Sequence, residues 1–372
     1  MCVLRFWPVL FISFIWALAA TWLVRRIALK FGVVDEPDDL VKTHTEPVAY
    51  LGGIGIFAGF AAGIVTAILY LRSEPYFGSG LKWLSGILAG GTIACFVGLV
   101  DDISDIKPWQ KVLGQVAGGL VLIAVGIRPE LDYFAKPFGY QIPASVNILL
   151  SFVITMIFVL GATNSLNLLD GIDGLCAAVS AVIVFGMVGL AMVLESQSPP
   201  DLGNHVRIVV ALAVLSSVCG FLPFNKHPAK IFMGDAGSLF LGFTMAALMM
   251  LFAAAGPKWC LCSIMIFGLP ILDTAVAFAR RWLNKRPLFV ADRGHIYDQM
   301  MDRRMSLKRT VTVCCCLAGV YVLIGLIISR MRTRYALMVC VVVLIISGVV
   351  VWKKGFLKME GLRGAIQKDS QP

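Results

Sequence analysis

At 372 residues, with 59% hydrophobic side chains, 15% charged ones and a mean hydropathy of +0.85, the chain is too apolar for a soluble multidomain protein. Its net charge of +10 calls for an anionic partner, but no nucleic-acid fold signature accompanies it, so anionic lipid and anionic substrate are expected and nucleic acid is not. The ten cysteines contain no CxxC pair and the four histidines lack zinc spacing, so neither a disulfide framework nor a zinc site is expected.

In chain order, eleven apolar stretches are each long enough to cross a hydrocarbon core of roughly 30 Å as a helix. They run over 6–24, 51–71, 81–100, 109–127, 146–163, 175–194, 206–223, 238–255, 260–279, 310–329 and 336–352. The expected fold is therefore an all-α polytopic membrane protein of about eleven transmembrane helices, with a single transmembrane domain over 1–352 and a short basic tail over 353–372. The first stretch is long, ends in Arg25 and Arg26 and lacks a small-residue cleavage site, which predicts a retained span rather than a leader. With the loop 25–50 taken as cytoplasmic, 22 of the 32 Lys and Arg residues fall on that side, predicting an outside N-terminus and a cytoplasmic C-terminus. The run Arg330, Arg332 and Arg334 goes against this bias.

That topology gathers four acidic, glycine-rich strings on the cytoplasmic face: VDDISD (100–105), NSLNLLDGIDGL (164–175), FMGDAGS (232–238) and DRGHIYD (292–298). A carboxylate at the centre of a membrane helix costs roughly 2.5–3.5 kcal/mol, so acids collected at helix ends point to a task, here magnesium-assisted chemistry on phosphates. Before the first of them, GGIGIFAGF looks like a nucleotide-binding glycine pattern, but it opens a span and follows no strand, so helix packing explains it better. The preceding KTHTEP is different, because Lys42 and His44 stand on a cytoplasmic loop able to face phosphate.

Asp101 and Asp102 close the third span and, as helix neighbours, point about 100° apart, which predicts separate roles. One would touch a metal shell, the other would orient or deprotonate an incoming phosphate, and Lys107 and Lys111 would hold its charge. In the second string, Asn164, Asn167, Asp170 and Asp173 recur every third position, stacking oxygens along one helical face suited to a hard cation or a hydroxyl-rich ligand. In FNKHPAKIFMGDAGS, Phe232 can stack on a base, Asp235 can carry magnesium, and Gly237 and Ser238 open a helix whose N-terminus offers backbone NH groups to phosphate. This is the outline of a nucleoside diphosphate site.

The strings KTHTEPVAYLGG, VDDISDIKPWQK, NSLNLLDGIDGL, FLPFNKHPAKIFMGDAGS, GLPILD and DRGHI, in that order from about Lys42 to Asp302, resemble the polyprenyl-phosphate N-acetylhexosamine-1-phosphate transferases, glycosyltransferase family 4. The likeness is to the bacterial undecaprenyl-phosphate N-acetylglucosamine-1-phosphate transferase branch. It implies a multi-pass enzyme of the bacterial inner (cytoplasmic) membrane that moves a sugar 1-phosphate from a UDP-amino sugar to undecaprenyl phosphate. UMP is released and Mg2+ is needed, with Mn2+ as a substitute. Membrane lipid is a further implied partner, and self-association as a homodimer is compatible with the family. By the same resemblance Asp101 and Asp102 serve the lipid phosphate and Lys111 lines the phosphate path. Asn167 and Asp235 hold the magnesium-diphosphate, Asp170 and Asp173 lie in the nucleotide pocket, Asn225 and Phe232 contact uracil, and Lys42 faces the donor phosphates. Where the family carries HIHH this chain reads HIYD, keeping His295 and replacing two histidines by Tyr297 and Asp298. The expectation is a change in donor discrimination, with Arg293, Tyr297 and Gln299 as substitute hydrogen-bonding groups.

Two other readings stand beside this one. A muramyl-pentapeptide transferase of peptidoglycan synthesis shares the motifs, and the eleventh span and HIYD argue against it. A secondary transporter is the competitor from another class; Asp273, beside Pro270, is the one acid well inside a span and reads either as a proton site or as a buried structural acid.

Overall fold

The computed structural model describes residues 5–35, 47–73, 77–129, 131, 140, 142–197, 202–286 and 294–358. Helices α1 (Trp7–Phe31), α2 (Gly52–Leu71), α3 (Phe77–Ser104), α4 (Pro108–Ala124), α5 (Ala144–Leu169), α6 (Leu175–Gln197), α7 (Leu202–Asn225) and α8 (Gly234–Ala253) make up the first two thirds. They are followed by α9 (Pro257–Ile266), α10 (Gly268–Leu283), α11 (Ile296–Asp302), α12 (Leu307–Ile328) and α13 (Thr333–Lys353). Among the described residues, nine helices are long and apolar enough to cross a membrane and the bent pair α9 and α10 makes a tenth, so this is a polytopic all-α membrane protein.

Each predicted stretch has a helix, with two instructive differences. The stretch 260–279 is broken at Phe267 by a 70° bend. Pro270 lies in the first turn of α10, where its missing NH costs nothing, whereas a continuous helix would lose a hydrogen bond there. In addition, α3 and α5 run past their predicted ends to Ser104 and Leu169, which puts Asp101, Asp102 and Asn167 on helix, as their angular spacing assumes.

The centre of the bundle is α8, in which every residue except Asp235 is buried, as an all-round apolar helix requires. It is packed by α2, α3, α5, α7 and α9. Glycines permit the closest approaches: a Cβ on Gly53 would lie 2.1 Å from the Gly237 nitrogen, and one on Gly98 would lie 2.3 Å from the Asp235 carbonyl. Along α2, Gly55 and Gly59 likewise meet Thr21 and Ala17 of α1, so the GGIGIFAGF string is a helix-packing surface, as its sequence context indicates. At the periphery, α13 turns Leu344, Ile345 and Ile346 outward, more than half exposed, which suits a lipid-facing helix.

One small element was not anticipated. Strands β1 (Val34–Asp35) and β2 (Val48–Ala49) pair antiparallel, and Ala49 also bridges Ile231. Phe232 NH donates to the Ala49 carbonyl at 2.9 Å, and Gly52 and Gly53 NH donate to the carbonyls of Phe232 and Met233 at 2.9 and 2.8 Å. These bonds fasten the segment leading into α8 against the start of α2. Lys42, between the strands, lies outside the described residues, as does the tail beyond Lys358.

Candidate active site

Four helix ends converge at one end of the bundle. Pro108 at the first position of α4, with the Gln110 side chain accepting the Lys107 NH at 2.9 Å, starts that helix one turn before Lys111. From there Lys111 Nζ donates to Asp235 Oδ2 at 2.7 Å and pairs with Asp101 Oδ2, whereas Lys107 stays exposed outside the cluster. Asn167 Nδ2 reaches the other Asp235 oxygen at 2.7 Å and Ser238 Oγ at 3.0 Å. Asp101, Lys111, Asp235 and Asn167, from four different helices, thus form one contiguous polar cluster.

Asp102 does something else, as the angular argument predicts. Its Oδ1 accepts the Asp235 NH at 2.7 Å and its Oδ2 accepts the Ala236 NH at 3.1 Å. Asp170 takes the Gly234 NH, and burial, reinforced by the nearby Asp235 and Asp102 charges, pushes its carboxyl well above the usual carboxylate range. The NH groups that the sequence offers to a phosphate are therefore held by the protein's own carboxylates, because a helix N-terminus with unpaired donors and a positive dipole end attracts whichever anion is nearest. Gly234, at φ 70, has no Cβ to collide with Asp102, whose Oδ2 would be 2.6 Å away. Gly237, expected at the phosphate, is instead buried in the contact with Gly53.

The predicted row in NSLNLLDGIDGL holds only as far as Asn167. The helix stops at Leu169 and turns through Gly171 and Gly174 (φ 74), so Asp170 and Asp173 leave the helical face. Asn164 spends its amide on Gln115 Oε1 at 3.1 Å and the Leu160 carbonyl at 2.7 Å, joining α5 to α4. Asp173 Oδ2 faces His227 Nδ1 at 2.8 Å and accepts the Ala229 NH at 3.1 Å, tying its loop to the segment 225–232. Asn225, 2% exposed, closes the neck of that segment by donating to the Ile231 carbonyl at 3.1 Å, and its Oδ1 is buried without a partner. Half-buried Phe232 meets the Tyr50 ring edge-on at 6.0 Å.

A family model described as "Glycosyl transferase family 4" matches residues 84–253, which contain all four residues of this cluster. A probable undecaprenyl-phosphate N-acetylglucosaminyl 1-phosphate transferase of Bacillus subtilis (strain 168) is 32% identical over 90% of this chain and 88% of that relative. The chain belongs to glycosyl transferase family 4. Within it, an undecaprenyl-phosphate alpha-N-acetylglucosaminyl 1-phosphate transferase of Yersinia pestis is 29% identical over 86% of this chain and 83% of its own. A phospho-N-acetylmuramoyl-pentapeptide-transferase of Streptococcus mutans is similar over a shorter span, 30% identical over 62% of this chain and 66% of its own.

The HIYD string, where this family member departs from the motif, lies beside the cluster and largely inside the protein. Asp273 on α10 accepts the Ile296 NH at 2.6 Å and faces His295 Nδ1 at 2.7 Å, so this buried acid is tied to the start of α11. His295, 3% exposed, stacks on Tyr297 with ring centres 5.7 Å apart, and Tyr297, 5% exposed, donates to the Leu168 carbonyl at 3.0 Å. A Cβ on Gly171 would sit 2.0 Å from the Tyr297 hydroxyl, so the tyrosine is wedged against the turn that follows Asn167. Gln299 gives its amide to the carbonyls of Gly294 and Phe356 at 3.0 and 2.9 Å, and Arg293 lies outside the described residues. Asp298 occupies the first turn of α11, where the helix dipole favours an acid. The geometry makes Tyr297 a brace for the turn that follows Asn167. Tyr297→Phe should therefore lower stability by about 0.5–1.5 kcal/mol, the worth of one hydrogen bond, and leave the ranking of donor sugars unchanged. A shift in that ranking, measured as kcat/KM ratios, would restore the specificity reading.

Two neighbours were not picked out from the sequence, and a third was given a different role. Tyr50 has its hydroxyl pKa pushed up by burial and by Asp102, Asp35, Asp170 and Asp235, which locates it within the field of the acids; it stood in a string read only for Lys42 and His44. Gln115, 2% exposed, lies one turn beyond Lys111 on the same face of α4, a spacing visible in the sequence. Ser238, read as a helix-opening residue, is the hydroxyl that holds Asn167.

Proposed function

We propose that the chain transfers N-acetylglucosamine 1-phosphate from UDP-N-acetylglucosamine to undecaprenyl phosphate, releasing UMP, at the cytoplasmic face of the bacterial inner membrane. The observation that carries this is the Asp101, Lys111, Asp235 and Asn167 cluster in a chain similar over nine tenths of its length to a relative bearing that name. The topology that goes with it has eleven crossings: the nine apolar helices, the bent pair and the shorter α4, with the N-terminus outside. Residues 1–352 form the single transferase domain.

The donor set suits magnesium, or manganese in its place. Asp101 and Asp235 already share one cation, the Lys111 ammonium, and the atoms around it are carboxylate and amide groups without thiol or imidazole. Among the described residues no three His, Cys, Asp or Glu side chains cluster as a closed metal cage, which fits an ion held by one or two carboxylates and the substrate's phosphates. Asp235, Asp101 and the oxygen of Asn167 would hold it. When bound, such an ion neutralises charge on the diphosphate and on the departing UMP.

The residues then divide the remaining work. Lys111 turns from Asp101 and Asp235 to the incoming phosphate and aligns it in line with the donor phosphorus. Asp102, with both oxygens engaged by the start of α8, holds Asp235 in place; that commitment supports direct attack by the lipid phosphate over a covalent Asp102 intermediate. By the family resemblance Lys42 would serve the donor phosphates, and His295 backs the site through Tyr297. Phe232 offers its half-open ring to the uracil, so Phe232→Ala should weaken the UDP-sugar by about 1–3 kcal/mol and spare the lipid; equal loss for both would indicate a packing defect.

The test is purified protein with undecaprenyl phosphate, magnesium and a panel of UDP-sugars, with the lipid product identified by mass spectrometry. A lipid diphosphate carrying N-acetylhexosamine is expected. A muramyl-peptide product would move the chain to the peptidoglycan enzyme, and solute uptake without a lipid product would move it to the transporters.

A further inference from the structure

The C-terminal end of α13 and the turn after it form a basin of about 540 Å³ lined by Arg303, Trp352, Lys353, Lys354, Gly355 and Lys358. Four of the six are cations and no carboxylate is among them. Lysines at a helix C-terminus are ordinarily explained by the helix dipole. That covers Lys353 and Lys354, and Arg303 at the C-terminal end of α11, but it does not explain why these two helix ends and Lys358, which follows the turn, are brought to one basin.

The basin is built rather than a loose tail. Gly355 takes φ 70 and reverses the chain, with its NH on the Trp352 carbonyl at 3.0 Å and the Phe356 NH on the Val351 carbonyl at 3.1 Å. Phe356 is buried with Val276, Val351 and Ile296. Its carbonyl accepts from Gln299 at 2.9 Å, and the Leu357 carbonyl accepts from Asn284 at 3.2 Å, so α10 and α11 both clamp the turn. The Arg303 guanidinium lies 4.5 Å above the Phe356 ring, which fixes the fourth cation beside the other three.

Its level in the membrane indicates the ligand. Immediately before the basin α13 exposes Ile346, Val349 and Val350 as a lipid-facing surface, and Trp352, 73% exposed, stands where that surface gives way to charge. An aromatic at such a boundary marks the headgroup layer. We propose that this basin binds the phosphate headgroup of an anionic phospholipid, with the acyl chains lying along α13. The chemistry, a phosphate held by lysines and a fixed arginine, is shared by free phosphate, but the apolar wall leading into the basin favours the lipid.

The full-length protein in detergent, titrated with phosphatidylglycerol or phosphatidylcholine and read by native mass spectrometry, tests this. The wild type should bind phosphatidylglycerol at least about tenfold more tightly than phosphatidylcholine. Replacing Lys353, Lys354 and Lys358 together by glutamine should remove that preference, replacing all three by arginine should keep it, and Lys82→Gln, at an exposed position near the N-terminal end of α3, should not change it. An unchanged preference in the glutamine variant would overturn the proposal. So would loss of the preference in the arginine variant, or displacement of phosphatidylglycerol from the wild type by millimolar inorganic phosphate, which would mark a site for soluble phosphate. Thermal melting of each variant separates loss of binding from loss of fold.

Discussion

Asp235→Asn is expected to reduce kcat by about two to three orders of magnitude, because a metal-centred contact is worth several kcal/mol and each 1.36 kcal/mol is a factor of ten. The side chain is the point where the cluster joins: one oxygen takes Lys111 at 2.7 Å, the other takes Asn167 at 2.7 Å, and its backbone NH is held by Asp102. Asparagine keeps the shape and the backbone bond but loses the charge that pairs with Lys111 and would bind the cation. Folding should survive, so the melting temperature should stay near that of the wild type while the magnesium concentration giving half-maximal rate rises. Near-wild-type kcat with an unaltered magnesium dependence would remove Asp235 from the metal role.

How far the sequence carried can be seen in these same residues. That Asp101 and Asp102 act separately followed from the 100° between helix neighbours, and they do face different partners, Lys111 and the start of α8. That strings far apart along the chain share one end of the bundle followed from span counting and from the basic residues, and Asn167 does meet Asp235. What spacing did not encode was the partner. Asp102 is paired with backbone NH groups, which carry no residue signature, so the phosphate-binding helix end looked open when it was closed.

The same limit explains the other departures. Threefold spacing placed Asp170 and Asp173 on one face with Asn167, but Gly171 and Gly174 end the helix there, and a glycine pair reads equally as a turn or as close packing. Tyr297 looked like a pocket residue because it replaces one; its burial in α11, a helix of seven residues, leaves no periodicity from which to infer an inward face. The kink before Pro270 was hidden because both halves of the stretch are apolar.

Gly53→Ala should destabilise the bundle strongly, although it adds only one methyl group. An ideal Cβ on Gly53 would lie 2.1 Å from the nitrogen and 2.4 Å from the Cα of Gly237, and 2.7 Å from the Ala236 carbonyl carbon. All three are backbone atoms, so no rotamer change relieves the clash, and α2 must move away from α8. That movement would stretch the bonds from Gly52 and Gly53 NH to Phe232 and Met233 and shift Asp235 relative to Asn167. Overpacking of this kind costs about 1–3 kcal/mol, with the rigid neighbours placing Gly53 at the upper end. The control is Gly319→Ala on α12, where nothing lies within 4 Å of the added methyl and replacing a helical glycine should be neutral or stabilising. Thermal melting of the two variants in the same detergent, with donor KM and kcat measured alongside, separates the two readings of the glycine string. If it packs helices, Gly53→Ala lowers the melting temperature and kcat together, whereas a phosphate cradle would raise donor KM at an unchanged melting temperature.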